Sequence, residues 1–600
     1  MKTSRITGLT PIPLRSFMHC WLVLLLLLTP ISSVFADAST DLKTVSMETI
    51  SQRVEAAFKE ANVPGLAFSL FDAKQMLLQK NFGYINKAER VEVMPDSLFR
   101  QGSLTMLVTG LLTLKFVELG LLDLDTPIRY YLDDNYRLLK NSIGDRNLRQ
   151  LLSHHSGLPL NYYKDSWAEQ PSSYKFLLLQ NQNLKPVYPA NTIFSYSNIG
   201  YTVVAAVIES VSKRSYEENI RTYLFEPLDI KQAYFDIKQL PKTNLARPYK
   251  KGDVQKLLDV RDKPALGLIS TMEEMVKVVQ LLMHRGRYNG QQIIAAELID
   301  EMFKNQNEHI PMDLDRRVGL SWRFQRTPFE DLNTAVMYGA TLFFKAHIML
   351  IREYNIAMLV FANDQSSWEL LETIRNTVVE EYANTYQHKK RELTPQLSLQ
   401  ENPFKLQPYY SSYVGLLALD LKAQPNEVDV MGWDFQLIKD EKSWFAVQYD
   451  LFGFIPLKLD WITKVHFAPY EIMQQPILLS YYHGQRYVFA TALSESKSPS
   501  AAWQQRLGEY QLANPDALTE LMKIEEGELL LEKSRLVFKY RLPGLIPLTL
   551  KIPLEIIDDN HAYLPGLGSG LNEKILVEKR DDEELLNFSG YLLQKTPSLF

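Results

Sequence analysis

An α+β body followed by two small antiparallel β-barrels is the fold class that this sequence predicts. Three observations lead there. At 600 residues the chain exceeds what one hydrophobic core serves, so two or three domains are expected. Long helical patterns run to roughly residue 390, then give way to short alternating segments rich in Tyr, Phe, Val and Ile, the period-two signature of strands. Within that last third the sequence echoes itself. Phe452-Gly453-Phe454-Ile455-Pro456-Leu457-Lys458-Leu459 returns ninety-one positions later as Pro543-Gly544-Leu545-Ile546-Pro547-Leu548-Thr549-Leu550, and Tyr413-Val414-Gly415-Leu416-Leu417 returns as Gln505-Arg506-Leu507-Gly508-Glu509-Tyr510.

The first element, residues 1–36, has the pattern of a secretory signal. Lys2, Arg5 and Arg15 precede the apolar stretch Trp21 to Leu28, and Ser33-Val34-Phe35-Ala36 offers a small-residue cleavage site before Asp37. The apolar run is shorter than the ~20 residues of a spanning helix, so an uncleaved anchor is the weaker alternative. Cys20, the only cysteine, lies inside this segment and not at a cleavage junction, which argues against a lipid-anchored chain. The mature protein then has no disulfide and depends on its cores.

Residues 37–386 carry the chemistry. Leu98-Phe99-Arg100-Gln101-Gly102-Ser103 runs into Leu104-Thr105-Met106 and the apolar stretch Leu107 to Leu121, a loop feeding a buried helix. Further on come Leu151-Leu152-Ser153-His154-His155-Ser156-Gly157-Leu158-Pro159, then Phe194-Ser195-Tyr196-Ser197-Asn198-Ile199-Gly200-Tyr201, then Pro264-Ala265-Leu266-Gly267-Leu268-Ile269-Ser270-Thr271-Met272-Glu273-Glu274-Met275. In this order, over roughly residues 45 to 385, the chain resembles the serine β-lactamase and penicillin-binding-protein superfamily, in its class C-like, D-aminopeptidase and esterase branch. The likeness assigns Ser103 to the nucleophile of S-x-x-K, and Tyr196 and Asn198 to Y-x-N. It implies an antiparallel sheet flanked by helices, with a helical subdomain beside it. An amphipathic helix near Glu48 to Ala61 precedes a hairpin of Ala67–Asp72 and Met76–Lys80. Late strands fall in Ala346 to Asn363, and Trp368 to Tyr386 forms a closing helix.

Two motifs depart from the family. The lysine of S-x-x-K is Met106. The third element, K-T-G or H-x-G on a strand, is best matched by Met337-Tyr338-Gly339-Ala340-Thr341-Leu342-Phe343-Phe344, in which Gly339 survives, Met337 replaces Lys or His, and Leu342-Phe343 replaces Pro-Gly. Glycine on that strand lets a substrate backbone approach closely, whereas Phe343 fills space.

The chemistry of these losses is severe. A serine hydroxyl needs an adjacent base, and thioether sulfur holds no proton at neutral pH. A helix dipole contributes about 0.3–1 kcal/mol, against a loss on the order of 10⁴ to 10⁶ in rate when a hydrolytic serine loses its base. Lys115, the next lysine on the helix, lies about 18 Å along it at 1.5 Å per residue. Tyr196 is the remaining candidate base, with an unperturbed pKa of about 10 and without the lysines that tune it in the family.

Each residue also has a plainer reading. Ser103 after Gly102 suits a helix N-cap, Met106 and Met337 suit core packing, and Tyr196 and Asn198 suit structural roles. His154 and His155 match a loop histidine that packs and hydrogen-bonds. Lys345 and His347, two apart on a strand, share a face and offer a displaced base.

Residues 387–408, polar with Pro395 and Pro403, form a linker. Residues 409–495 and 504–600 are the two barrels, joined across the Ser-rich stretch Ser494 to Ser500, each of about eight strands so that short strands close their edges. They resemble the lipocalin-like domains that follow the catalytic domain in D-aminopeptidase-like and esterase-like relatives.

Net charge of −5 and pI near 6.1 give no basic face for nucleic acid. No P-loop, dinucleotide fingerprint or zinc spacing is present, so no cofactor and no metal are expected. Three functions remain open: an exported pseudoenzyme that binds a small molecule, peptide, glycan, cell-wall fragment or protein in the former groove; a divergent serine hydrolase of ester, amide or β-lactam bonds acting through Ser103 and Tyr196; and a structural or assembly protein carried by the barrels. Oligomeric state is not legible. The expected location is periplasmic or secreted, without a stable membrane span. N-terminal sequencing of the mature protein is expected to start near Asp37; an intact Met1 on cytosolic material would refute export.

Overall fold

The computed structural model describes residues 44–391 and 404–597, apart from 181–183, 242, 424, 441–443, 452–454, 458–464, 483, 497, 524–525, 543–547 and 581–582. The expected signal segment, most of the expected linker, and the repeat stretches 452–454 and 543–547 lie outside the described residues.

Helix α1 (Met47–Ala61) starts at Ser46, whose hydroxyl accepts from the Thr49 amide, and stops at Asn62 in the left-handed conformation. The apolar runs that follow form β1 (Gly65–Asp72) and β2 (Met76–Asn86), continued by β3 (Val91–Glu92). The sheet is completed from the far end of this region by β4 (Arg317–Val318), β5 (Arg323–Arg326), β6 (Asn333–Ala340), β7 (Lys345–Ile351) and β8 (Ile356–Ala362). Its order is β4-β5-β6-β7-β8-β1-β2-β3, and every pairing is antiparallel. Burial on both faces explains why β7 and β8 read as nearly continuous apolar runs.

Helix α2 (Thr105–Glu118) and helix α3 (Asn198–Ser212) are apolar almost all round because they pack on each other and on neighbouring helices at the centre of the helical subdomain, in one core with the sheet. Helix α4 (Met272–Met283), capped by Thr271, lies against β1 and β8. Helix α5 (Trp368–Thr385) packs with α1, where Arg53 pairs with Glu380 and Glu381.

Beyond the sheet domain, strands Tyr409–Ser412 through Gln485–Ala492 form one antiparallel system. Because Trp433–Lys439 pairs with Phe445–Leu451, eight strands close into a ring, and Ile455–Leu457 is appended outside it. A second ring of eight strands runs from Gly508–Leu512 to Tyr591–Lys595 and closes between these two. Closure leaves each ring no unpaired edge. Both rings touch the sheet domain: Arg486 forks onto Asp315 at 2.7 and 2.8 Å, and Tyr163 donates its amide to Ser589 Oγ at 2.8 Å.

Two features fix the ground beneath the serine. Gly102 has φ +56, and a Cβ there would lie 2.6 Å from the Ala340 carbonyl oxygen, so only glycine lets this turn press on β6. The Asp313 carboxylate accepts from His155 Nε2 at 2.8 Å and the Phe194 amide at 2.6 Å, and also from Asn307. Burial by itself would raise the Asp313 pKa, but the hydrogen bond and charge of His155, with the Phe194 and Asn307 donors, hold it below the ordinary carboxylate value.

Gly102→Ala is expected to cost about 2 kcal/mol or more in urea unfolding, from strained φ and backbone overlap together. Asp313→Asn is expected to cost about 3 kcal/mol at neutral pH. Since the depressed pKa contributes stability only while the carboxylate is ionised, the gap between wild type and Asp313→Asn is expected to hold at higher pH and to narrow as pH falls below about 4; a gap independent of pH in urea melts would refute the assignment.

The candidate active site around Ser103

Ser103 sits in a single 3₁₀ turn, Gly102–Leu104, that feeds α2. Residues distant in sequence hold this turn. Phe99 and Arg100 pair with Ser270 and Ile269, the Gln101 amide donates to Leu268 O at 2.8 Å, and Thr105 Oγ1 accepts the Leu268 amide at 3.0 Å while donating to Gly102 O at 2.6 Å. Thr109 Oγ1 donates to Pro264 O at 2.6 Å. The segment from Pro264 to Met275 therefore acts as the cradle of the serine turn.

The Tyr196 hydroxyl donates to Ser103 Oγ at 2.6 Å and stands 3.4 Å from Met106 Sδ. Burial raises the Tyr196 pKa; the Ser103 hydrogen bond and the Arg323 charge pull the other way and do not offset it. At neutral pH the phenol keeps its proton. Met337 on β6 faces the same space, so Ser103, Tyr196, Met106 and Met337 converge on one cavity of about 30 Å³, with His154, Phe194 and Arg323 also in its wall.

Asn198 does not line that cavity. It opens α3, where Ser197 caps the helix by accepting from the Gly200 amide at 3.0 Å, and its side-chain amide donates to Asn161 Oδ1 at 2.7 Å. Gly339 also departs from the expectation. A Cβ there would lie 2.1 Å from the Gln101 carbonyl oxygen, so the space that glycine leaves on β6 is taken by the chain's own backbone instead of a substrate's. Phe343 is buried in the main core.

The displaced base expected from Lys345 and His347 fails on geometry. In the β6–β7 register Met337 opposes Ile348, whereas Tyr338 opposes His347 and Ala340 opposes Lys345. His347 stacks on Tyr338 at 4.4 Å, Tyr338 meets Trp368 edge-on at 5.9 Å, and the Lys345 amine lies 5.8 Å from the Trp368 ring and donates to Thr341 O at 3.0 Å. Lys345 and His347 thus lie on the α5 face of the sheet, opposite to the face of Met337. Burial pulls the Lys345 pKa down to about 8, with Asp364 opposing, but the strand alternation keeps its amine on the wrong side.

His154, with φ +62, is also unsuited as a base. Its Nδ1 accepts the Ser197 amide at 3.2 Å, its ring packs on Tyr196 at 4.4 Å, and burial, then Arg323 and His155, push its pKa well below the usual value. His155 is spent on Asp313 and on Ser153 Oγ at 3.0 Å. Lys115 is paired with Glu118 and donates to Ile293 O. Among the described residues no lysine or histidine nitrogen hydrogen-bonds Ser103, and no group of three His, Cys, Asp or Glu side chains is placed to hold a metal ion.

Sequence reasoning missed a support of the Tyr196 segment. The loop Pro565-Gly566-Leu567-Gly568-Ser569-Gly570-Leu571 of the second barrel lies against that segment's backbone: Ser569 Oγ accepts the Tyr196 amide at 2.7 Å, Tyr188 Oη donates to the carbonyls of Gly566 and Gly568 at 2.9 and 3.1 Å, and Asn572 donates to Val187 O. Its glycine density is the one signal that marks it. Asp313 and Arg323 were missed as well, each being an isolated polar residue without a motif.

Comparison with known proteins agrees with this geometry. The family model described as Beta-lactamase matches residues 50–379, more than half of the chain. A Beta-lactamase of Yersinia enterocolitica is 25% identical over 251 residues, covering 41% of this chain and 62% of that protein. Penicillin-binding protein 4 of Amycolatopsis lactamdurans is 26% identical over 182 residues, 30% of this chain and 47% of its own length. The chain thus spans between about half and three-fifths of these relatives. The crystal structure of SurE superposes with a TM-score of 0.55 at 20% identity, covering 73% of this chain and 98% of SurE, which establishes the likeness of fold. With its serine turn, its Y-x-N segment and its sheet in family order, the chain belongs to the beta-lactamase family.

Proposed function

We propose that this protein is an exported, non-acylating member of the family that acts by binding a small molecule, peptide or cell-wall fragment at the former active-site groove. The observation that carries the reading is the proton inventory at Ser103. The serine's hydrogen-bond partner is a phenol that retains and donates its own proton, and the two positions that hold cations in the family are thioethers. The α2 dipole is worth about 1 kcal/mol at most, far short of a lost base. The absence of a base argues against turnover; the retained serine turn and wall argue for a preserved shape.

Access has a condition. A cavity of about 30 Å³ holds one or two waters, so a larger ligand enters only when wall side chains such as Phe194 and Arg323 move aside. Export rests on the charged, apolar and small-residue pattern of residues 1–36. Among the described residues no helix is long and apolar enough to cross a membrane.

One observation favours a divergent hydrolase instead: the 2.6 Å Tyr196–Ser103 contact, with the Arg323 guanidinium 5.6 Å from the Tyr196 ring. Loss of the phenolic proton would turn this contact into a base–nucleophile pair. Labelling with a fluorophosphonate and a fluorescent penicillin separates the readings. Wild type is expected to give no adduct at Ser103. Met106→Lys is expected to gain measurable adduct, since Met and Lys have similar unbranched stems and burial lowers the lysine pKa toward a neutral base, and Met106→Lys with Met337→His is expected to gain more. Wild type labelling as fast as these variants would make the hydrolase reading the correct one.

A further inference from the structure

A cavity far larger than the one at Ser103 lies in the first barrel. It measures about 750 Å³, within the range of ligand pockets, and strand residues such as Leu417, Leu419, Val428, Phe435, Leu437 and Leu478 line it. It reaches solvent at Tyr413, which is 69% exposed. Its end toward the sheet domain is walled by Ile193, Phe194, Met312 and Arg316, and by the Ser569 loop. Phe194 thus stands between this cavity and the small one at Ser103.

Arg316 is the polar group at that end left without an anion. Its guanidinium lies 4.5 Å from the Phe194 ring and 5.4 Å from the Tyr487 ring. The one carboxylate in the same wall, Asp313, is committed to His155, the Phe194 amide and Asn307. Among the described residues no side-chain hydrogen bond or carboxylate partner satisfies Arg316, and Arg323, on the other side of Phe194 at 5.3 Å, adds a second positive charge. A guanidinium with no hydrogen-bonded anion and a second guanidinium close by favours an anion placed here; burial, then Arg323, lower the Arg316 pKa, with Asp313 and Tyr487 opposing.

We propose that the first barrel is a binding site for one single-chain amphiphile with an anionic head, its apolar chain along the barrel interior and its carboxylate or phosphate on Arg316. This does not depend on whether Ser103 acylates. Apolar burial supplies affinity for the chain, and the unpaired guanidinium selects the head.

The test uses the full mature chain, stripped of lipid, in calorimetric titrations with palmitate, hexadecyl phosphate, hexadecanol and hexadecyltrimethylammonium, each below its micelle concentration. Palmitate is expected to bind one molecule per chain, about tenfold or more tighter than hexadecanol, with the cationic chain weakest. Arg316→Gln is expected to lose about tenfold for palmitate and nothing for hexadecanol, which a misfolded variant would not do. Val428→Trp, which fills the cavity, is expected to abolish binding of both. Hexadecyl phosphate binding as well as palmitate identifies a phosphate-headed lipid as a further source, and binding of palmitate alone identifies a free fatty acid; both support the site. No binding of palmitate or of hexadecyl phosphate to wild type, several molecules per chain, or equal palmitate affinity in Arg316→Gln would overturn it.

Discussion

One buried carboxylate organises the region on which everything else depends. Asp313 gathers donors from the His154-His155 loop, from the backbone two residues before Tyr196, and from Asn307. An ionised carboxylate out of water must be paired and fully hydrogen-bonded, so these segments have little freedom to move independently. The position of Tyr196 over Ser103 follows, since Phe194 is fixed by Asp313, Ser197 by His154, and Tyr196 itself by Ser569. So does the unpaired state of Arg316, three residues further on, whose nearest carboxylate is already engaged.

With that frame in place, the two methionines form a consistent environment. Removing one buried cation while leaving carboxylates around it would strand charge. Here both positions are apolar and the cavity they share contains no carboxylate, so neither methionine leaves a buried anion without a partner, and Arg323 is the charged group in the wall. Gly102 and Gly339 bring the serine turn and β6 into backbone contact, which fixes where Ser103 stands against the sheet.

The barrels are coupled to this centre. The second supplies the Ser569 loop, and the first shares the Phe194 wall. Lys551 of the second ring bridges to Asp429 of the first, and Arg486 and Tyr163 tie the rings to the sheet domain at opposite contacts. Movement of the glycine-rich loop would change the end of the large cavity, because Ser569 and Leu567 both belong to its wall, and would release the Tyr196 amide that Ser569 holds.

The sequence by itself determined the elements whose signal is local. The apolar α2 behind Ser103 and the two eight-stranded rings follow from apolar runs, short alternating segments and an internal repeat, while the hairpin β1–β2, the closing helix α5 and the grouping of Ser103, Tyr196, Met106 and Met337 follow from the family resemblance that the order of the motifs carries. Only tertiary structure decided the rest. Asn198 turned to Asn161, because its place at the start of a helix leaves its direction to the neighbouring loop. Lys345 and His347 fell on the α5 face, because alternation along a strand says that two residues share a side but not which side meets the serine. Gly339 was filled by the Gln101 carbonyl, and the Tyr196 amide found its acceptor in a loop more than 450 residues from Ser103, contacts between remote segments that no local pattern encodes. Asp313 and Arg316, ordinary charged residues in a polar stretch, acquired their roles through burial beside Phe194, which exists only once the domains have assembled.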